Sequence, residues 1–442
     1  MSNMRIFRAS NNKIKGEIPS SICNISSLEL LDLSQNELEG LIHQCLGNFS
    51  ATLSVLDLRM NHFHGGIPAI YAKDNMLRTL AFNGNQLQGP IPRSISLCIN
   101  LQVIDLGNNM IKGTFPSWLD ALPELQVLVL RSNRLHGFVD MNSEAQSPFL
   151  KLHIFDISRN QFTGPFPSWY FNNFYAMKTV NRSSTGHELY MGKEYNLYQY
   201  SDGSYTYHYR DSVTITTKGL DAHLQGISFP RTTIDLSSNK FEGSIPDVVG
   251  NLVALTMLNM SNNRLTGPIP ESLGNLVHLE SLDLSSNHLT GEIPQELTSI
   301  TFLEVLNLSC NGLEGRIPQG KQFDTFLNTS YMENKGLCGP PLSRKCQGHE
   351  METPPPPPPP PPHDDSEDDS YFAFSGFTWQ AVLTGYIFGM IIGLAAGCLS
   401  FSTGRPKWFA TMIDEEVYKI MKKYRRGGRV PVRRIPSSLR LP

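Results

Sequence analysis

Two histidine groups are the first residues of this chain whose types and spacing could do chemistry. His187-Glu188 begins like a zinc-binding helix but lacks the second histidine, and His62-x-His64 falls in a turn just after a short strand. No Cys/His spacing resembles a zinc site, and no phosphate loop, nucleophile elbow or His-Arg-Asp catalytic sequence is present. The expectation is therefore no catalytic residue, no metal and no cofactor. Binding remains, and three residue sets could serve it. Arg59, Arg131 and Arg159 lie at or next to outward strand positions, where guanidinium groups could pair with acids on a peptide or oligosaccharide, or simply form salt bridges between coils. Six Asn-x-Ser/Thr sequons, at Asn24, Asn48, Asn181, Asn259, Asn307 and Asn328, predict a glycosylated ectodomain. None falls between Asn48 and Asn181, which would leave those coils the freer surface. Cys338 and Cys346 flank a Pro-rich loop and are expected to form a disulfide, whereas Cys23, Cys45, Cys98 and Cys310 sit beside core positions and read as buried thiols.

The elements that must position these residues follow one rule. Residues 279–294 place leucines at Leu279, Leu282, Leu284 and Leu289, an asparagine at Asn287, then Gly291-x-Ile293-Pro294. The asparagine returns at Asn12, Asn36, Asn61, Asn85, Asn109, Asn133, Asn160, Asn239, Asn263, Asn287 and Asn311, and seven of the ten intervals are 24 residues. Such a period predicts a leucine-rich-repeat solenoid, an α/β-type horseshoe with a parallel sheet on its concave face. Leu282-x-Leu284 should be a strand with leucines inward, and the asparagine should turn inside to satisfy backbone groups of its own and neighbouring coils.

The period disappears between Pro167 and Arg231, where nine of the fifteen tyrosines lie. Tyr198-x-Tyr200, Asp202-Gly203 and Tyr205-x-Tyr207-x-Tyr209 read as a hairpin, with Val213-x-Ile215 continuing as strand. These rings either present a recognition surface or pack the island onto the solenoid.

Charge is segregated although the total is only −3. Residues 347–370 hold seven acids and the Pro354–Pro362 run, an extended stalk. Tyr371 to Thr403 contains no charged residue, and its core 379–399 is long enough for one transmembrane helix. Eleven basic residues follow, which predicts a single-pass type I topology with a cytoplasmic tail. In that tail Phe409, Ile413, Val417, Ile420 and Tyr424 share one helical face suited to an inner leaflet. Gly385, Gly389, Gly393 and Gly397 recur every fourth residue and form a small-residue stripe for packing against a partner helix.

The Gly-x-Ile-Pro element resembles the plant extracellular class of leucine-rich repeats over roughly residues 5–346. Tyr209, followed by Lys218-Gly219 four coils before the end, resembles the island signature of plant receptor-like proteins, which lack a kinase. Asn334-Lys-Gly-Leu337-Cys338 resembles their C-terminal cap. The resemblance implies an order of repeats 1–167, island 168–231, repeats 232–318, cap 319–346, stalk 347–370, membrane segment 371–403 and tail 404–442. It also implies an extracellular ligand of unknown kind, a co-receptor kinase met by the island (Tyr209, Lys218, Gly219) and following coils, and an adaptor receptor kinase met by the glycine stripe. The plasma membrane in defence or development is then the expected setting. A secreted inhibitor of wall-degrading enzymes and a decoy fragment are the alternatives, the latter because neither a signal peptide nor the family's N-terminal cap precedes Asn12.

Overall fold

The computed structural model describes residues 4–48, 52–139, 148–179, 190–200, 203–217, 219–228 and 231–346. Asn181, Lys218, the stalk, the membrane segment with its four glycines and the basic tail lie outside the described residues. Among those described, no helix is long and apolar enough to cross a membrane.

Each coil contributes one strand to an eleven-stranded, all-parallel sheet that runs from Ile6–Arg8 to Val305–Asn307 in chain order. Leu282 and Leu284 point into the core with Leu289, Ile293 and Leu297 of the same coil, all buried. Pro294 then starts a short 3-10 turn, Gln295–Ser299, that returns the chain. A second parallel sheet of twelve strands, which the leucine pattern does not announce, follows each asparagine, as in His288–Glu292.

The asparagines form the ladder that the period implies. Asn287 Nδ2 donates to the carbonyls of Met260 in the preceding coil (3.0 Å) and of Leu284 and Ser285 in its own (3.1 and 3.2 Å). Its Oδ1 accepts the Leu265 N–H at 3.0 Å. The residue before the ladder asparagine is left-handed coil after coil, for example Ser286 at φ 55°, and Gly291 follows at φ 79°. Asn334 of the cap is a twelfth rung, accepting from Leu313 N–H and donating to Leu308 O. Gly336–Cys338 closes the second sheet, and Cys338 is bonded to Cys346.

Two expectations need correction. Cys23 and Cys45 are not thiols: they occupy the same corner of consecutive coils, Cα atoms 5.9 Å apart, and are bonded to each other. Of the other two, Cys98 is a buried free thiol and Cys310 an exposed one. The island also begins later than residue 168. Ser168–Asn173 is a helix whose Tyr170 and Phe171 join Phe174 and Met177 in the main core, and Met177 O accepts from Ala254 N–H. Aromatic bulk replaces leucine here, so this coil return escapes a leucine-based pattern.

Replacing Asn287 by Ala would strip four hydrogen bonds from buried backbone groups, each costing about 1–3 kcal/mol when left unmade. The expected result is a clear fall in the urea midpoint, larger than for Asn262→Ala, whose side chain meets only Ser261 Oγ at 3.4 Å.

Candidate functional site

Alternation along a strand sends Val127 and Val129 away from the core that holds Leu128. These outward residues are buried nonetheless, because the island lies on them. Gly192–Tyr200 pairs antiparallel with Gly203–Arg210, and Val213–Thr217 pairs with Leu220–Leu224. The first hairpin is the one expected around Asp202-Gly203; the second turns at Gly219, φ 77° and exposed. At their common base Met191 N–H donates to Ile227 O, Asp211 N–H to Met191 O and Ile227 N–H to Asp211 O.

Met191, Val213, Ile215 and Ile227 form one apolar seam with Val103, Val127, Val129 and Ile154. Tyr195 and Tyr209 form another with Leu30 and Val55. Fully burying one such side chain contributes about 1.5–3 kcal/mol, against about 0–1 for a surface ion pair. The seams hold the island and the polar contacts orient it. Arg78 Nη2 donates to Asp211 Oδ2 at 2.5 Å and Thr79 Oγ1 to Oδ1 at 2.7 Å. Ser54 and Tyr195 share a hydroxyl hydrogen bond of 2.8 Å, and Arg8 Nη1 donates to Tyr207 Oη at 2.9 Å.

The three arginines expected to face a ligand are spent on this arrangement. Arg59 forks onto Asp57 (2.8 and 2.6 Å) and donates to Ser212 O at 2.7 Å. Burial opposes its charge, but the paired Asp57 outweighs burial and raises its pKa. Arg131 is wholly buried and donates to Asp221 Oδ1 at 2.7 Å, and Arg159 donates to both oxygens of Asp221. The insertion thus covers Arg131, while Arg59 borders an open cleft and Arg159 stays exposed. Tyr209, expected at a co-receptor, is buried with its hydroxyl donating to Asp57 Oδ2 at 3.1 Å, and burial, then the Asp57 charge, push its pKa well up. Of that trio the described Gly219 alone stands at an exposed position. The missed signal was in the strands: the first outward position is Ile6, Leu30, Val55, Val103, Val127 and Ile154 in six of the first seven coils, too apolar for a solvated face.

A polar cleft of about 350 Å³ remains between the first hairpin and the first three coils, lined among others by Arg8, Asp32, Arg59, Tyr207, Arg210 and His223. The sequons divide. Asn24, Asn48 and Asn328 are exposed, whereas Asn259 is buried and Asn307 half-buried in the sheet. Asn259 Oδ1 accepts Ser261 N–H (3.1 Å) and Oγ–H (2.8 Å), as Asp156 Oδ1 accepts from Ser158 at 3.0 and 2.6 Å. These two sequons are the Asp-x-Ser turn of the coils at Asp32, Asp156, Asp235 and Asp283 with Asn in place of Asp. His62 and His64 are exposed on the strand His62–Gly65, whereas His187 and Glu188 lie outside the described residues. No group of three His, Cys, Asp or Glu able to hold an ion occurs among the described residues.

A repeat solenoid with a strand island folded over its parallel sheet defines a leucine-rich-repeat scaffold. The family description "Leucine rich repeat" matches residues 75–135 and 232–289, and a second match covers 3–25, 27–49 and 302–320. Receptor-like protein 33 of Arabidopsis thaliana is 41% identical over 408 residues, 92% of this chain and 43% of that one. Receptor-like protein 9DC3 of Solanum pimpinellifolium is 48% identical over 282 residues, 63% of this chain and 30% of that one. The Arabidopsis receptor kinase HAESA, solved with the peptide hormone IDA and the co-receptor SERK1, superposes with a TM-score of 0.54 at 29% identity, covering 78% of this chain and 52% of HAESA. The chain belongs to the plant leucine-rich-repeat receptor-like proteins, and it spans less than half the length of the two receptor-like proteins named.

Arg78→Met would leave Asp211, with no exposed surface, as an unpaired buried charge, a loss of about 3–5 kcal/mol. Limited proteolysis should then cut within residues 190–228 while the coils stay intact. Adding Asp211→Asn removes the charge and should restore protection.

Proposed function

We propose that this chain is the ligand-binding and partner-docking part of a cell-surface receptor that signals through separate receptor kinases. The observation that carries the reading is the cleft between the island and the first coils, in a chain similar over 92% of its length to a receptor-like protein. Its walls alternate guanidinium and carboxylate groups with a tyrosine, which suits a charged peptide or a glycan rather than an apolar ligand. HAESA, with its peptide and its co-receptor, is an example of the same scaffold serving such a complex. The exposed hairpin turn at Gly219 and the coils after the island form the co-receptor face of this reading. Glycans on the exposed Asn24, Asn48 and Asn328 would stand away from the residues that line the cleft.

The remaining parts follow from the sequence. The apolar segment 371–403 anchors the protein as a single-pass type I chain in the plasma membrane, and Gly385, Gly389, Gly393 and Gly397 offer an adaptor kinase a close-packed helix face.

Two double variants separate the parts. In plant cells expressing the full chain, Gly389→Leu with Gly393→Leu should reduce co-precipitation of single-pass receptor kinases at equal surface expression. Arg8→Glu with His223→Glu should leave that pairing unchanged and lower kinase phosphorylation evoked by apoplastic wash fluid about tenfold, the cost of one lost charge contact. Undiminished pairing in the glycine variant, or an undiminished response in the cleft variant, would overturn the corresponding part.

A further inference from the structure

Beneath the second hairpin, Asp156 and Asp235 are directly paired neighbours on adjacent strands of the eleven-stranded sheet. Neither exposes any surface. Each spends Oδ1 on its own turn, accepting from Ser158 N–H and Oγ–H and from Ser237 N–H. Both Oδ2 atoms lack a hydrogen-bond partner among the described residues. The charges facing them are few. Arg131 of the preceding coil brings Nε to 3.8 Å from Asp156 Oδ2, Arg159 flanks Asp156, and Asp221 of the island engages both arginines. On the other side the next strand supplies uncharged Asn259. His223, on the same hairpin as Asp221, faces Arg59 and Asp57 instead.

Three carboxyl groups therefore meet two guanidinium groups. Side by side on strands about 4.8 Å apart, with water excluded, two carboxylates cannot both stay ionised. One proton held between them brings the cluster to neutrality.

We propose that Asp156 and Asp235 share a proton, and that this proton makes the seating of the 213–224 hairpin on the sheet sensitive to pH: seated while the proton is held, loosened when it leaves. Losing it places a net negative charge under Asp221, the residue that ties the hairpin down. The electrostatics agree in direction. Burial, then the neighbouring Asp156, pushes Asp235 up to about 7, and burial raises Asp156 against the pull of Arg131. With the hairpin lifted, water reaches both groups and they return to about 4. Between about pH 4 and 7 the seated state thus holds a proton that the lifted state does not, so seating weakens as pH rises through that window. Asp221 acts oppositely. Burial works against its charge, but the Arg131 hydrogen bond and charge lower its pKa, so its tie weakens as pH falls below the ordinary carboxylate range. Seating is firmest in mild acid and loosens as pH rises to about neutrality.

The test is hydrogen–deuterium exchange of the purified full chain at about pH 5.5 and about pH 7.5, corrected for the intrinsic pH dependence of amide exchange. Protection of amides 213–224 should fall about tenfold or more between the two, while the strand Ser281–Asp283 stays unchanged. Asp235→Asn alone would create a sequon with Ser237, so the variant pairs it with Ser237→Ala, and Ser237→Ala alone is the control. Asparagine fits this position, since Asn259 accepts from Ser261 in the same way. The control should keep the pH dependence and the double variant should stay protected at the higher pH. Equal protection of the wild type at both values overturns the proposal, as does a double variant that keeps the wild-type dependence.

Discussion

The asparagine ladder is the interaction on which the rest of the structure depends. A chain that turns every 24 residues must bury backbone groups at each corner, and one side-chain amide per coil satisfies up to four of them. Because Nδ2 reaches into the preceding coil and Oδ1 accepts from that coil's second strand, as Asn287 does with Met260 and Leu265, the rung also fixes the stacking register. Aspartate lacks the donors and glutamine has the wrong reach. The cap obeys the same constraint, since Asn334 supplies the last rung before the repeats end.

Register, once fixed, aligns the outward strand positions into columns. Stacked aliphatics such as Val103, Val127 and Ile154 make an apolar stripe that water cannot cover favourably, and the island is the chain's own answer to it. The same columns stack acids: Asp156 beside Asp235 is a product of strand register, not of a local motif. Ion pairs to island residues far away in sequence, Arg78 to Asp211 and Arg131 to Asp221, then tie the island to the arginines that flank these columns.

In the proposed receptor role this division has a functional sense. The coils give rigid, repetitive support, whereas the island decides how much of the strand face remains available. With the island seated, a polar cleft stays open beside Arg8 and Tyr207. Recognition then depends on an element that is held by contacts along the sheet, so its seating and the binding surface are one physical problem.

The sequence by itself determined the coils, their asparagines, the Gly-x-Ile-Pro returns, the first island hairpin and the cap, because each is a contact between residues close in the chain or one period apart. It also carried, unread, the aliphatic stripe at Ile6, Leu30, Val55, Val103, Val127 and Ile154. Only the tertiary structure decided that Arg59, Arg131 and Arg159 bond to the island, that Tyr209 is buried, and that Cys23 meets Cys45. An outward position says that a side chain leaves the core. What it meets there is set by how a 40-residue insertion folds back across as many as seven coils, and no local spacing encodes that separation.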